Sequence, residues 1–257
     1  MKIVVKVGTS TLAHANGKVH MRRTSALCRA LSDLKNSGHD VILVSSGAIG
    51  MGVGKLGLTE KPTDIPTKQA AAAVGQCELM YVYDRLFSEC GVTVAQILLT
   101  GSDFSHEDRH QNFSNTLSRL LELNVLPVIN ENDTIATEEI KVGDNDTLSA
   151  LVAESVKADL LVILSDINGL YTADPRKDEG ATLIPCVYEI TPEILALAGA
   201  AGSSLGTGGM QTKLHAAQIA TASGAEMIIA SGEDPDILYD IANGKAVGTR
   251  FFPKKEA

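Results

Sequence analysis

Short runs of β-branched and other apolar residues recur along the chain at 3–7, 40–44, 92–98, 125–129, 160–164 and 226–230, and each has the length of a strand. Between them lie longer stretches whose apolar positions return every three or four residues, which predicts helices over 22–36, 67–90, 107–123, 146–157 and 211–223. Gly38, Gly91 and Gly224 stand where a helix end would release the chain into the next strand. Strand and helix in alternation is the rhythm of βαβ units, so the expected fold is α/β: a three-layer αβα sandwich with a mostly parallel central sheet. Two stretches break the rhythm. Residues 134–142 alternate Thr, Ile and Glu and predict a projecting β-hairpin, whereas 168–209 is rich in Gly, Pro and Asp and predicts loops around a short helix after Thr191-Pro192.

Composition supports this reading. The 257 residues are 44% hydrophobic, with no Trp and only five Phe and five Tyr, which suits an aliphatic sheet covered by helices. No linker divides them, so one domain over 1–257 is expected. A formal net charge of −9 argues against nucleic acid or an anionic membrane as a partner. The sequence opens on a strand with no signal-peptide apolar region, and a cytoplasmic protein is expected. The four cysteines form no C-x-x-C pair, so neither a zinc ribbon nor a redox dithiol is indicated.

In open α/β sheets ligands bind beyond the carboxyl ends of the strands, and here those ends are polar and glycine-rich. The first strand runs into Lys6-Val7-Gly8-Thr9-Ser10, the second into Ser45-Ser46-Gly47, the fourth into Asn130-Glu131-Asn132-Asp133 and the fifth into Ser165-Asp166. Gly143-Asp144-Asn145-Asp146 precedes one helix, and Gly206-Thr207-Gly208-Gly209-Met210-Gln211-Thr212-Lys213 opens another. Glycines at a helix start let backbone N–H groups approach an anion, so the second segment reads as a phosphate cradle; a plain surface loop is the alternative. Lys6 sits on an otherwise apolar strand, where an ammonium needs a partner; with Lys213 it offers two point charges for a phosphoryl group, unless it merely snorkels from an edge. Asp133, Asp144, Asn145, Asp146 and Asp166 gather at loop tips, and Asp144 or Asn145 could simply cap the following helix.

Three short patterns mislead. Gly52-Val53-Gly54-Lys55-Leu56-Gly57 matches a dinucleotide fingerprint but starts well past its strand and runs into Lys61-Pro62. His106-Glu107-Asp108-Arg109-His110 has zincin spacing, yet Ser105 and Asp108 are spaced as a helix-start capping box. Ser45-Ser46-Gly47 is not a G-x-S-x-G hydrolase elbow.

Taken together, the strand-end strings resemble the amino acid kinase family, and most closely those members that phosphorylate glutamate. The resemblance is carried by Lys6-Val7-Gly8-Thr9-Ser10, Ser46-Gly47-Ala48-Ile49, Val128-Ile129-Asn130-Glu131-Asn132-Asp133, Ile140-Lys141-Val142-Gly143-Asp144-Asn145-Asp146, Gly169-Leu170-Tyr171-Thr172-Ala173-Asp174-Pro175 and the 206–213 loop. It implies ATP as co-substrate with Mg2+ carried on it, free glutamate as acceptor, and γ-glutamyl phosphate as the product that opens proline biosynthesis. It implies catalytic roles for Lys6, Lys213 and Asp146. Ser46, Asp133 and Asn145 would hold glutamate, with Asn130, Asp144 and Lys141 as supporting contacts. Gly8, Ser165, Asp166, Thr207, Gly208, Gly209, Met210, Gln211, Thr212 and Lys213 would line the nucleotide site. It further implies a homo-oligomer, feedback inhibition by proline, and γ-glutamyl phosphate reductase as receiver of the product. Relatives acting on N-acetylglutamate or UMP, and a non-catalytic amino-acid sensor on the same fold, are the alternatives. Many bacterial relatives carry a C-terminal PUA domain; this sequence ends at Phe251-Phe252-Pro253 and a charged tail, so none is expected here.

Overall fold

The computed structural model describes residues 1–14, 16–60, 62–136, 144–199 and 209–254. Among these, eight strands form one sheet: β1 (Lys2–Val7), β2 (Asp40–Ser45), β3 (Val94–Leu99), β4 (Leu126–Glu131), β5 (Leu160–Ser165), β6 (Cys186–Val187), β7 (Glu226–Ser231) and β8 (Thr249–Phe251), in the order β3-β4-β2-β1-β5-β7-β8-β6. Pairing is parallel except between β7 and β8. The helices are α1 (Thr9–Leu12), α2 (Met21–Asn36), α3 (Ala48–Leu56), α4 (Ile65–Ser88), α5 (Gly101–Ser105), α6 (Glu107–Glu122), α7 (Asn145–Ser155), α8 (Pro192–Gly199), α9 (Met210–Ala222) and α10 (Ile237–Ala242).

Strand alternation divides the interior in two. Successive side chains of β1 point to opposite faces. Ile3, Val5 and Val7 join a core with Leu27 and Leu31 of α2, Tyr83 and Phe87 of α4, and Leu238 of α10. Val4 joins a second core with Phe113 and Leu117 of α6, Leu148 of α7 and Leu214 of α9. Helices therefore cover both faces, as the expected sandwich requires. The same parity gives Lys6 the face of Val4, towards α7 and α9. All the strands flanking β1 are parallel to it, so their carboxyl ends gather at one edge of the sheet.

The six expected strands and five expected helices are present, each within two residues at either end. The anticipated glycines close three helices: Gly38, Gly91 and Gly224 have φ of 89°, 71° and 91°, and the next residue's N–H reaches back to the carbonyl of Leu34, Phe87 or Ala220. Asn124 and Lys157 adopt the same left-handed geometry behind α6 and α7 without being glycine, which is why no punctuation marked those ends in the sequence.

Several expectations change. Residues 48–56, to which the strand-and-helix pattern of the sequence assigned no element, form the helix α3. Its glycines serve packing: a Cβ on Gly52 would lie 1.8 Å from the Ala71 carbonyl oxygen, and one on Gly75 1.8 Å from that of Ala48. The fingerprint-like spacing thus comes from α3 and α4 pressing backbone to backbone. Ser105 and Asp108 form no capping box; the reciprocal pair sits one turn earlier, where Thr100 and Asp103 close the start of α5. The 168–209 stretch contains β6 as well as the expected helix, α8. Of the expected hairpin only 134–136 falls within the described residues, where Ile135 and Ala136 turn back onto the Asn132 carbonyl. No helix among the described residues is long and apolar enough to cross a membrane.

Candidate active site

At the edge where β1, β2, β4 and β5 end, two adjacent residues of α7 reach into two different environments. Asp144 caps the helix, its carboxylate accepting from the Thr147 N–H at 2.9 Å. That explains its place in the sequence by local structure. Asn145 and Asp146 then occupy the first turn, about 100° apart on the helix wheel.

Asp146 is fully buried. Its Oδ1 lies 2.6 Å from Lys6 Nζ on β1, and its Oδ2 lies 3.0 Å from Lys213 Nζ in the first turn of α9. Thr212 Oγ1 is also 3.0 Å from Oδ2. Burial pushes the Asp146 carboxyl up, but the Lys6 and Lys213 ammoniums outweigh it and hold the group below the ordinary carboxylate value. Both lysines are themselves buried, at 8% and 5% exposure. One carboxylate between two ammoniums leaves the trio with one positive charge. Removing either kind of partner would leave charge stranded in a low-dielectric interior.

Asn145 faces the other way. Its amide nitrogen lies 2.8 Å from Ser46 Oγ, 3.0 Å from Asn130 Oδ1 and 3.1 Å from the Ser45 carbonyl. Asn130 Oδ1 also accepts from the Glu131 N–H, while Asn130 Nδ2 donates to Gln76 Oε1 of α4, both at 2.9 Å. Ser45 Oγ pairs with the hydroxyl of Tyr83, also on α4, at 2.8 Å. This half of the site is a mesh of neutral amides and hydroxyls. Asp133 stands just beyond the end of β4.

On the far side of β1, Ser165 closes β5 and donates to Asp166 Oδ1 at 3.1 Å. Arg176 holds Asp166 Oδ2 at 2.8 Å. Partial burial raises the Asp166 carboxyl, and the Arg176 and Ser165 bonds more than offset it, so it too titrates below the ordinary value. Gly209 begins α9 without a side-chain cap, and a Cβ there would meet nothing within 4 Å. A helix start whose N–H groups have no side-chain cap is the kind of terminus that binds anions. Gly8 is likewise an uncapped helix start, beside Lys6 Nζ.

The structure therefore brings Lys6, Gly8, Ser46, Asn130, Asn145, Asp146, Ser165, Asp166, Gly209, Thr212 and Lys213 to one edge of the sheet. Met210 and Gln211 separate from them by side chain: Met210 is buried in the second core, and Gln211 is exposed in a groove with Leu195 and His215 between α8 and α9. Only their backbone can serve an anion at the start of α9. Lys141, Thr207 and Gly208 lie outside the described residues. Sequence reasoning missed Gln76, Tyr83 and Arg176. Gln76 and Tyr83 are seven residues apart on the buried stripe of α4, so a polar residue within an apolar helix face was the available signal.

The amino acid kinase family model matches residues 1–231. Glutamate 5-kinase of Clostridium tetani is 56% identical over 249 residues, covering 97% of this chain and 93% of that protein. Glutamate 5-kinase of Moorella thermoacetica is 53% identical over 254 residues, 99% of this chain and 67% of that longer protein. Among solved structures, carbamate kinase from Giardia lamblia bound to AMP-PNP superposes with a TM-score of 0.70 at 18% identity over 98% of each chain. A T. acidophilum isopentenyl phosphate kinase product complex gives 0.68 at 17% identity, covering 98% of this chain and all of that one. These structural likenesses speak for the fold alone, but the family match spans every strand from β1 to β7 and the whole of the site just described: the chain belongs to the amino acid kinase family.

Proposed function

We infer that this protein is a kinase that transfers the γ-phosphoryl group of ATP to the side-chain carboxylate of L-glutamate, giving ADP and γ-glutamyl phosphate, the first step of proline biosynthesis. The observation that carries the reading is the junction on α7, where adjacent residues serve a cationic trio and a neutral hydrogen-bonding mesh, in a chain more than half identical to glutamate 5-kinases.

A carboxylate is ionised near neutral pH and already nucleophilic, so no general base is needed. Catalysis reduces to alignment and neutralisation of charge on the moving group. Lys6 and Lys213 supply that charge at the transferred phosphoryl group, and Asp146 holds both ammoniums in place. The glutamate γ-oxygen attacks phosphorus, the bond to the ADP oxygen breaks, and the electron pair leaves with ADP. Asn145, Ser46, Asp133 and Asn130 hold glutamate, with Asp144 and Lys141 in support. The backbone at the start of α9, Gly8, Ser165 and Asp166 accommodate the nucleotide. Magnesium enters as part of the nucleotide substrate: Asp146 already has its two oxygens on Lys6 and Lys213, and Mg2+ needs few protein oxygens when phosphates and water surround it.

The product is a mixed anhydride that water destroys, so a reductase taking it directly is the partner this chemistry calls for. Proline shares glutamate's α-carboxylate and ammonium but offers no γ-carboxylate; it would compete at the acceptor half without reacting, and its inhibition should fade as glutamate rises. The deciding experiment supplies Mg-ATP with glutamate, N-acetylglutamate or UMP in the presence of hydroxylamine. An acyl hydroxamate is expected with glutamate alone. Turnover of either other acceptor without turnover of glutamate would overturn the reading.

A further inference from the structure

Asparagine and glutamine amides are ambiguous until their partners fix which end is oxygen. In the acceptor half the backbone fixes them in sequence. The Glu131 N–H can only donate, so the Asn130 atom that it meets at 2.9 Å is oxygen, and the other end of that side chain is the NH2 group. That NH2 group needs an acceptor, which fixes Gln76 with Oε1 towards it. Asn130 Oδ1 and the Ser45 carbonyl in turn fix Asn145 with its NH2 group inward. Neither neighbour of Asn130 can flip without setting donor against donor or acceptor against acceptor.

Locking these two side chains leaves groups unsatisfied. Gln76 Nε2 and Asn145 Oδ1 are both buried with no hydrogen-bond partner among the described residues. An amide flip would ordinarily relieve such a group, and here the chain of partners forbids it. Buried polar groups left unpaired destabilise a fold, so a mesh that keeps two of them is arranged for something besides stability. Gln76 is brought to this place by the backbone contact beside it, where Gly75 meets the Ala48 carbonyl at the start of α3.

We propose that Gln76 is a positioning residue of the acceptor site, which acts through Asn130 to hold Asn145 and Ser46 in the orientation that recognises glutamate. The proposal rests on the glutamate reading above. It touches no reacting atom: Gln76 Oε1 holds Asn130 Nδ2, and Asn130 Oδ1 holds Asn145 Nδ2. Its consequence should appear in glutamate KM and not in the handling of ATP, because the Lys6-Asp146-Lys213 trio hangs from the opposite side of the α7 start.

The test is a double-mutant cycle of Gln76→Met with Asn145→Ala, read as KM for glutamate and for ATP in the hydroxamate assay. Gln76→Met keeps the size of the side chain and removes the acceptor; Gln76→Ala is the companion variant should methionine prevent folding. Gln76→Met alone is expected to raise glutamate KM about tenfold, the loss of roughly one hydrogen bond's worth of orientation, with ATP KM within about twofold of the wild type. On the Asn145→Ala background the same change should add less than about twofold, since the group being positioned is gone. A tenfold effect that persists on that background, an equal rise in ATP KM, or an unchanged glutamate KM would each overturn the proposal. Wild-type protein that does not phosphorylate glutamate at all would sink the functional reading first, before any variant is compared, and this proposal with it.

Discussion

The two halves of the site solve opposite problems with the same turn of helix. On the β1 side, α7 presents a carboxylate to two buried ammoniums, an arrangement that is costly to assemble and strong once assembled. On the β2 and β4 side it presents an amide to other amides and a hydroxyl, an arrangement cheap in charge but demanding in direction. Phosphoryl transfer needs charge near a group whose own charge is shifting, and compact ammoniums on flexible stems supply it. Recognition of one amino acid among several needs fixed donors and acceptors, because an unmatched polar group is what rejects the wrong ligand. Variants on the two sides should therefore fail differently.

The largest effect is expected at Asp146. Asp146→Asn removes the carboxylate that both buried lysines share, and removing one partner of a buried ion pair costs about 3–5 kcal/mol of stability. Activity should fall by about a thousandfold, as both ammoniums lose their anchor. Urea unfolding and steady-state kinetics check the two parts separately. Because the folded carboxyl titrates below its unfolded value of about 3.9, the stability it contributes is fully present above that value and is lost as pH falls through the folded pKa. The wild type should therefore lose stability in acid more steeply than Asp146→Asn, and matching acid profiles would remove the ion trio from the account.

Lys213 and Asn145 then sharpen the contrast. Lys213→Ala should lower kcat by about a hundredfold with a smaller change in glutamate KM, since its charge acts on the transition state. Asn145→Ala should raise glutamate KM by about ten- to a hundredfold with kcat far less affected, the pattern of lost ground-state recognition. The opposite pattern in both variants, with the fold intact, would exchange the roles of the two halves.

How much of this was legible beforehand follows the same division. Lys6 stood out because it interrupts an apolar strand, and Asp146 and Lys213 because they stand in glycine-bearing polar strings at helix starts; their mutual geometry did not, since β1, α7 and α9 are far apart in sequence. The neutral mesh was half visible. Ser46 and Asn130 sit in polar strings at strand ends and Asn145 in one at a helix start, whereas Gln76 and Tyr83 lie inside an Ala-rich helix that binary patterning reads only as core. The helix α3 was hidden for a physical reason too: three glycines in nine positions lower helix propensity, and it is the contact of Gly52 and Gly75 with the backbone of α4 and α3 that repays the loss. Such tertiary compensation has no local signal.

The smallest effect, at Tyr83, tests whether α4 supports the acceptor half broadly or through Gln76 in particular. Tyr83 is fully buried, and its hydroxyl meets Ser45 Oγ at 2.8 Å. Burial pushes the phenol well above its ordinary value, so the hydroxyl stays neutral throughout the working pH range. In Tyr83→Phe the ring keeps its packing against Phe87 and the first core, and only the hydrogen bond is lost. Ser45 Oγ is not stranded, because it also lies 3.3 Å from the Ser46 carbonyl and can donate there. A loss of about 0.5–1.5 kcal/mol is expected in urea unfolding, the range for one neutral hydrogen bond. Glutamate KM should move by less than about twofold, because Ser45 contributes only its backbone carbonyl to the Asn145 amide and β2 fixes that carbonyl regardless of the tyrosine. A tenfold rise in glutamate KM in Tyr83→Phe, comparable to that expected for Gln76→Met, would show that the whole face of α4 tunes recognition and that the amide lock at Asn130 holds no special place.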